Sequence, residues 1–357
     1  MNNRSTPSHR LQDKGHRCAV YFVATPLHYL CARRIARDHE GGAKQVLVCY
    51  SRALDGIVES REWDEVVVIP WPRFEPLPGP FGRHRRLLEN VRRVGRVVGS
   101  CDVLHLHSPV FDTEAINYFL RALPKLCRAR EMRARVMPDG LLNLQRHPLS
   151  RVKRLAQRAR KFRRLAHPLL DYWCFAGDRI GSDAPFVDRI YVLAGFPHAY
   201  PAAKVATLAP LIDAPTRGAQ EVSRAPVALI VGQPLVRVGM MSREDCEVVT
   251  REIARWLADA GISDVVYKAH PRDRLPYDLK SPEQRLLSID EPIESHMAAQ
   301  PYAVVIGCCS TVLFLARQIY GPDVRILSFG LDHVRFKDDE KRKNLIDLME
   351  KFAIEIH

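Results

Sequence analysis

A buried-strand pattern running straight into a helix-start signal opens the ordered part of this chain and then recurs along it. The first copy is Cys18-Ala19-Val20-Tyr21-Phe22-Val23, an apolar, β-branched and aromatic run of strand length. Ala24-Thr25-Pro26-Leu27-His28 follows at once. Thr can cap a helix and Pro suits its first position, so a helix starts here. Leu27, Leu30, Cys31 and Ile35 then supply its apolar face. Further strands are expected at 45–50, 65–70, 102–107, 133–137 and 189–193, with helical stretches between several of them. Buried strands alternating with helices predict a parallel sheet covered on both faces.

The texture changes after residue 196. Pro197, Pro201, Pro210 and Pro215 with Gly218 mark a linker. A second alternation follows: strands at 227–231 and from Val265, a helix over 243–260 ended by Gly261, and strands at 285–289, 303–306 and 324–329. Helices are expected over 312–320 and about 338–352. The organisation expected is a polar, disordered leader (1–17), a Rossmann-like domain (18–205), a linker (206–226), a second Rossmann-like domain (227–335) and a C-terminal helix (336–357). The fold class is therefore α/β and GT-B-like, two Rossmann-type domains facing a central cleft. No Gly-x-Gly-x-x-Gly follows the first strand and no Walker loop is present, which argues against a dinucleotide dehydrogenase and an NTPase.

At 357 residues the chain has room for two cores. No apolar run reaches the ~20 residues of a membrane span. Residues 1–17 lack the apolar centre of a secretory signal. Nine cysteines without a Cys-x-x-Cys spacing indicate neither a zinc ribbon nor a thioredoxin-like site, and a reducing cytoplasm fits best. A net charge of +13 points to acidic partners. Much of it collects in a basic amphipathic helix, where Arg151, Lys153, Arg154, Arg158 and Lys161 interleave with Val152, Leu155, Ala159 and Phe162, and no acid occurs between Gly140 and Asp171. Such a helix suits an anionic polymer, an anionic membrane surface or nucleic acid.

The chemistry collects at strand ends, where open α/β sheets bind ligands. His270-Pro271 ends the Val265 strand, since proline stops the strand and keeps the residue before it extended. Asp139-Gly140 ends another, placing a carboxylate where a general base would stand. Ser310-Thr311 opens a helix directly after a strand, a ready phosphate site. Glu294, near another helix start, could hold ribose hydroxyls or favour the helix dipole. Each also has an ordinary reading: a loop histidine, a turn aspartate, an N-cap. His105 and His107 alternate onto one strand face without an evident third metal ligand, which suggests a structural or acceptor-side role.

Asp139-Gly140, His270-Pro271 and Ser310-Thr311, in that order, resemble the motifs of bacterial GT-B sialyltransferases, including the polysialyltransferases of capsule synthesis. Ala24-Thr25-Pro26-Leu27-His28 and Gly232-Gln233-Pro234 are similar to that family too; Pro138 departs from it, standing where a second acid is usual. The resemblance implies an inverting transferase with a CMP-sialic acid donor, an anionic glycan or glycolipid acceptor, and no cofactor or metal. It implies Asp139 as general base and His270 as hydrogen-bond donor to the departing phosphate. Ser310 and Thr311 would bind that phosphate, Glu294 would face the ribose, and Gly232 and Gln233 would line the cytidine side. The basic helix would grip a growing polymer or the inner face of the membrane. Alternatives are a CMP-Kdo-type transferase of the same fold, an assembly factor that keeps the fold without catalysis, and a nucleic-acid or polyanion binder built on residues 151–164. The chain offers the nucleic-acid reading no aromatic stacking platform.

Overall fold

A computed structural model of the chain describes residues 16–141, 146–212, 226–270 and 275–357. The first sheet has seven strands: β1 (Arg17–Val23), β2 (Lys44–Cys49), β3 (Glu65–Val68), β4 (Val103–Ser108), β5 (Glu131–Val136), β6 (Val187–Leu193) and β7 (Val205–Leu208). Their order is β3-β2-β1-β4-β5-β6-β7, and every pairing is parallel. The helices of this half are α1 (Pro26–His39), α2 (Gly82–Val98), α3 (Glu114–Asn117), α4 (Phe119–Leu126) and α5 (Arg151–Lys161).

Strand alternation divides β1 between two cores. Ala19, Tyr21 and Val23 pack toward α1, while Cys18, Val20 and Phe22 pack with Val91 and Val94 of α2 and Phe119 of α4. That two-sided burial is why the strand reads as a continuous apolar run.

The second sheet orders β8 (Val227–Val231), β9 (Asp264–Lys268), β10 (Arg285–Leu286), β11 (Val304–Gly307), β12 (Arg325–Ser328) and β13 (Glu355–Ile356) as β10-β9-β8-β11-β12-β13, again all parallel. Its helices are α6 (Arg243–Asp259), α7 (Ile293–Ala299), α8 (Thr311–Tyr320) and α9 (Asp339–Lys351). Local chemistry sets their ends. Ser242 Oγ accepts from the Asp245 N–H and Asp338 accepts from that of Lys341, capping α6 and α9. Gly261, with φ of +68°, turns the chain just past α6.

Two parallel sheets with their helices give the twin Rossmann-type α/β architecture that the alternation predicts. β7 is a correction: Val205–Leu208 pairs with β6 and is the edge strand, although prolines on both sides gave it the texture of a linker. Residues 213–225, the rest of that expected linker, and the expected leader up to residue 15 lie outside the described residues. The halves also share a core. Phe196, just after β6, packs on Phe314 of α8 and on Phe352. Gln318 donates to the Ala194 carbonyl and Lys351 to that of Gly195.

Candidate functional site

The site grows from the carboxyl end of β1. Thr25 caps α1 by accepting from the His28 N–H at 3.2 Å, with Pro26 opening the helix, and this fixes His28 on the first turn. The buried imidazole takes the Ala24 N–H on Nδ1 at 3.4 Å. Its Nε2 therefore carries the proton, which it donates to Asp139 Oδ1 at 2.8 Å. Asp139 follows β5, two strands over, and keeps 30% of its side chain exposed.

Gly140 reaches across to the other half. Its φ is +55°, and a Cβ built there would stand 2.5 Å from Thr311 Oγ1. The Asp-Gly turn of the first sheet and the Ser-Thr turn of the second thus meet in van der Waals contact. The sequence placed them in separate halves, and the structure brings them together.

Three adjacent strand ends carry the second half of the site, because β8 lies between β9 and β11. Gly232 has no room for a side chain: a Cβ would sit 2.1 Å from the Tyr267 hydroxyl, which donates to the Asp278 carbonyl at 2.6 Å. Gln233 Oε1 accepts the Cys309 N–H at 2.9 Å, so its amide braces the turn that leads to Ser310. Ser310 Oγ accepts from the Val312 N–H at 3.3 Å and caps α8. Its hydroxyl does serve as an N-cap, and the α8 amino terminus still points its dipole at the junction with Gly140. His270 is partly buried just beyond β9. Pro271, expected beside it, lies outside the described residues.

Glu294 is the second residue of α7 and is buried, with Oε2 lacking a hydrogen-bond partner among the described residues. Burial pushes its carboxyl up to about 7. Burial also raises the Cys31 thiol of α1 well above its ordinary value, and the charges of Glu294 and Asp139 both add to that rise. The expected ribose carboxylate and the expected base therefore both bear on Cys31 of α1.

His105 and His107 have a different fate from a metal site. They converge on the fully buried Glu40, His105 Nδ1 at 2.9 Å and His107 Nε2 at 3.1 Å. Arg135 donates to the same carboxylate and also pairs with Asp188 at 3.0 Å. Burial would raise Glu40, but the hydrogen bonds from His105 and His107 outweigh it and hold the carboxyl far below the carboxylate range. Burial lowers His107 to about 4, so it stays neutral against Tyr21, whose ring stacks on it at 4.5 Å. This is an internal ionic brace across β4 and β5.

Arg151, Lys153, Arg154 and Arg158 are exposed on α5 and Lys161 is partly so. The helix docks on the segment after β4, where Gln157 donates to Asp112 at 2.7 Å and Arg163 to Glu114. Burial would raise the Glu114 carboxyl, yet the Arg163 bond and the charges of Arg163, Arg83 and Arg160 hold it below its usual value.

Residues 195–327 match the model of the alpha-2,8-polysialyltransferase (POLYST) family. The match bears out the polysialyltransferase-type resemblance; it contains Gly232, Gln233, His270, Glu294, Ser310 and Thr311 and ends short of His28 and Asp139. No curated protein matches the chain in sequence. Similar solved structures include the UDP-GlcNAc 2-epimerase from Methanocaldococcus jannaschii, 10% identical over 94% of this chain and 92% of that one, with a TM-score of 0.47. The UDP-GlcNAc 2-epimerase from Neisseria meningitidis bound to UDP-GlcNAc is 12% identical over 95% and 94%, with a TM-score of 0.48. The spinosyn rhamnosyltransferase SpnG is 13% identical over 96% and 97%, with a TM-score of 0.43.

His28 is the functional candidate that motif reading left without a role. Its sequence signals are its place in the Ala24-Thr25-Pro26-Leu27-His28 stretch and its position, one helical turn after the strand end that Thr25-Pro26 punctuates.

Proposed function

We propose that this chain is an inverting glycosyltransferase that moves sialic acid, or a related nonulosonic acid, from a CMP donor to a surface glycan, working on the cytoplasmic side. One observation carries the reading: the Asp139-Gly140 turn abuts Thr311 across the two halves, with Asp139 already oriented by His28. The candidate base and the helix start that can receive a phosphate then flank one junction, as a displacement at a single sugar carbon needs.

In this reading the first half serves the acceptor and the second the donor. Asp139 takes the proton of the acceptor hydroxyl as its oxygen bonds to the anomeric carbon. The bond from that carbon to the phosphate oxygen breaks, and CMP leaves with the electron pair. His270 donates to the departing phosphate, and the N–H groups at the α8 amino terminus with the Thr311 hydroxyl receive its charge. Inversion follows from attack opposite the leaving group. His28 does not touch substrate; it holds Asp139 in place. Glu294, whose Oε2 has no partner among the described residues, faces the ribose hydroxyls, and the Gly232-Gln233 turn borders the cytosine. The leaving-group charge is met by protein groups, so the transfer runs without a metal.

The test is a thermal-shift series with CMP, CDP, UDP and GDP, followed by transfer from CMP-sialic acid to an oligosialic acceptor in the presence of a chelator. Stabilisation selective for CMP and chelator-resistant transfer are expected. Equal response to all four nucleotides would overturn the donor assignment.

A further inference from the structure

We propose that α5 and the turn after it form a docking face for an anionic lipid bilayer. The helix is mounted inside out. Its polar residues hold it to the protein: Gln157 bonds Asp112, Arg160 stacks on the Tyr172 ring, and Arg163 bonds Glu114 and the Tyr118 hydroxyl. Val152, Leu155 and Phe162 fall on the opposite side of the helical wheel from Gln157. They are 77%, 67% and 69% exposed, and Leu165 in the following turn is 79% exposed.

A water-facing helix ordinarily turns such a stripe inward. Here the apolar stripe is presented outward, and Arg151, Arg154, Arg158 and Lys161 run beside it with no acid from Arg151 to Leu165. An apolar line bordered by cations is the chemistry of a helix lying in the headgroup layer of an anionic membrane, side chains buried to the acyl boundary and guanidinium groups among phosphates. Among the described residues no helix is long and apolar enough to cross a membrane, so attachment is at the surface.

Two other occupants fit less well. A polyanionic glycan would use the arginines and leave Leu155 and Phe162 without a partner. A second copy would cover the apolar stripe but set Arg151, Arg154 and Arg158 against their own like charges. Continuity favours the bilayer too: Arg83, at the start of α2, shares Glu114 with Arg163, and the neighbouring Phe81 is 79% exposed. The face thus extends onto a second element. This inference does not depend on which sugar is transferred.

The experiment is sedimentation of the full chain with phosphatidylcholine vesicles, with and without phosphatidylglycerol. Binding is expected only with phosphatidylglycerol, and it should weaken as salt rises from about 0.1 to about 0.5 M. The Leu155→Ser/Phe162→Ser variant, unchanged in circular dichroism because both side chains face out, should partition ~tenfold or more weakly. Phe162→Trp fluorescence should move to shorter wavelength on the anionic vesicles. The proposal is overturned if the serine variant binds like the parent. It is also overturned if soluble polysialic acid is bound and vesicles are not, or if the stripe proves to close a dimer that the serine variant dissolves.

Discussion

His28 Nε2 and Asp139 Oδ1, 111 residues apart in sequence, stand 2.8 Å from one another at the ends of β1 and β5. The imidazole is held by its own helix cap and by the Ala24 N–H, so it fixes which way the carboxylate faces. Asp139→Ala should lower kcat by ~10²–10⁴-fold, the usual contribution of a positioned base. His28→Ala removes a hydrogen bond to a charged group, worth ~1.5–3 kcal/mol, and should cost about 10–100-fold in kcat. Its KM for CMP-sugar should stay near that of the parent, because the loss is one of orientation. Steady-state kinetics on both variants checks this. Equal, small effects would mean that the pair is merely structural.

Gly140 admits no side chain while Thr311 keeps its hydroxyl where it is. Gly140→Ala should destabilise by ~1–3 kcal/mol through its left-handed backbone, and should push the two turns apart with a large loss of transfer. Thr311→Ala removes the oxygen that an added Cβ would strike at 2.5 Å. The double variant should recover part of the stability lost by Gly140→Ala, a coupling of ~0.5–3 kcal/mol readable in a denaturation cycle. Strict additivity would mean that the two turns are not in contact in solution.

Buried titrating groups predict opposing pH effects. Glu294 binds its proton more tightly folded than unfolded, so its contribution is lost as pH climbs from about 4.5 to about 7. His107 behaves oppositely: kept neutral by burial, it removes stability as pH falls from about 6.5 to about 4. The two windows overlap and offset. Glu294→Gln should therefore unmask a steeper loss of Tm on acidification, and raise Tm at pH 8 by ~2–4 °C. Melting curves across the range settle it; an unchanged profile would show that Glu294 is solvated.

The Glu40 brace is expected to be costly to break. Glu40→Gln keeps the shape but leaves Arg135 with only Asp188, and should destabilise on the order of 3 kcal/mol by urea denaturation. The depressed Glu40 carboxyl supports the fold at neutral pH and withdraws that support only in strong acid.

Much of this was readable in the chain. Strand-then-helix units announce themselves where Thr25-Pro26 or Ser310-Thr311 follows an apolar run, because capping chemistry is local. The same holds for Asp338, whose cap opens α9. β7 and β13 escaped because a four-residue and a two-residue strand carry almost no periodic signal, and their pairing is decided by distant partners. The three short motifs could be ordered but not joined: nothing in Gly140 names Thr311. The alternation of His105 and His107 suggested a structural or acceptor-side role, yet their partner Glu40 lies beyond a helix end with no local mark. On α5 the periodicity was plain, but it cannot say which face looks inward. That was decided on another segment, where Asp112 accepts from Gln157 and Glu114 pairs with Arg163, and these polar contacts took precedence over apolar burial.

Pro138, Gly140, Leu193 and Phe196 line one small cleft, and Phe196 is also the residue clamped between Phe314 and Phe352. A pivot placed at that clamp would move nearby points little and remote points far, so the Asp139-Gly140 and Thr311 turns would hold their spacing while the outer lips of the cleft parted.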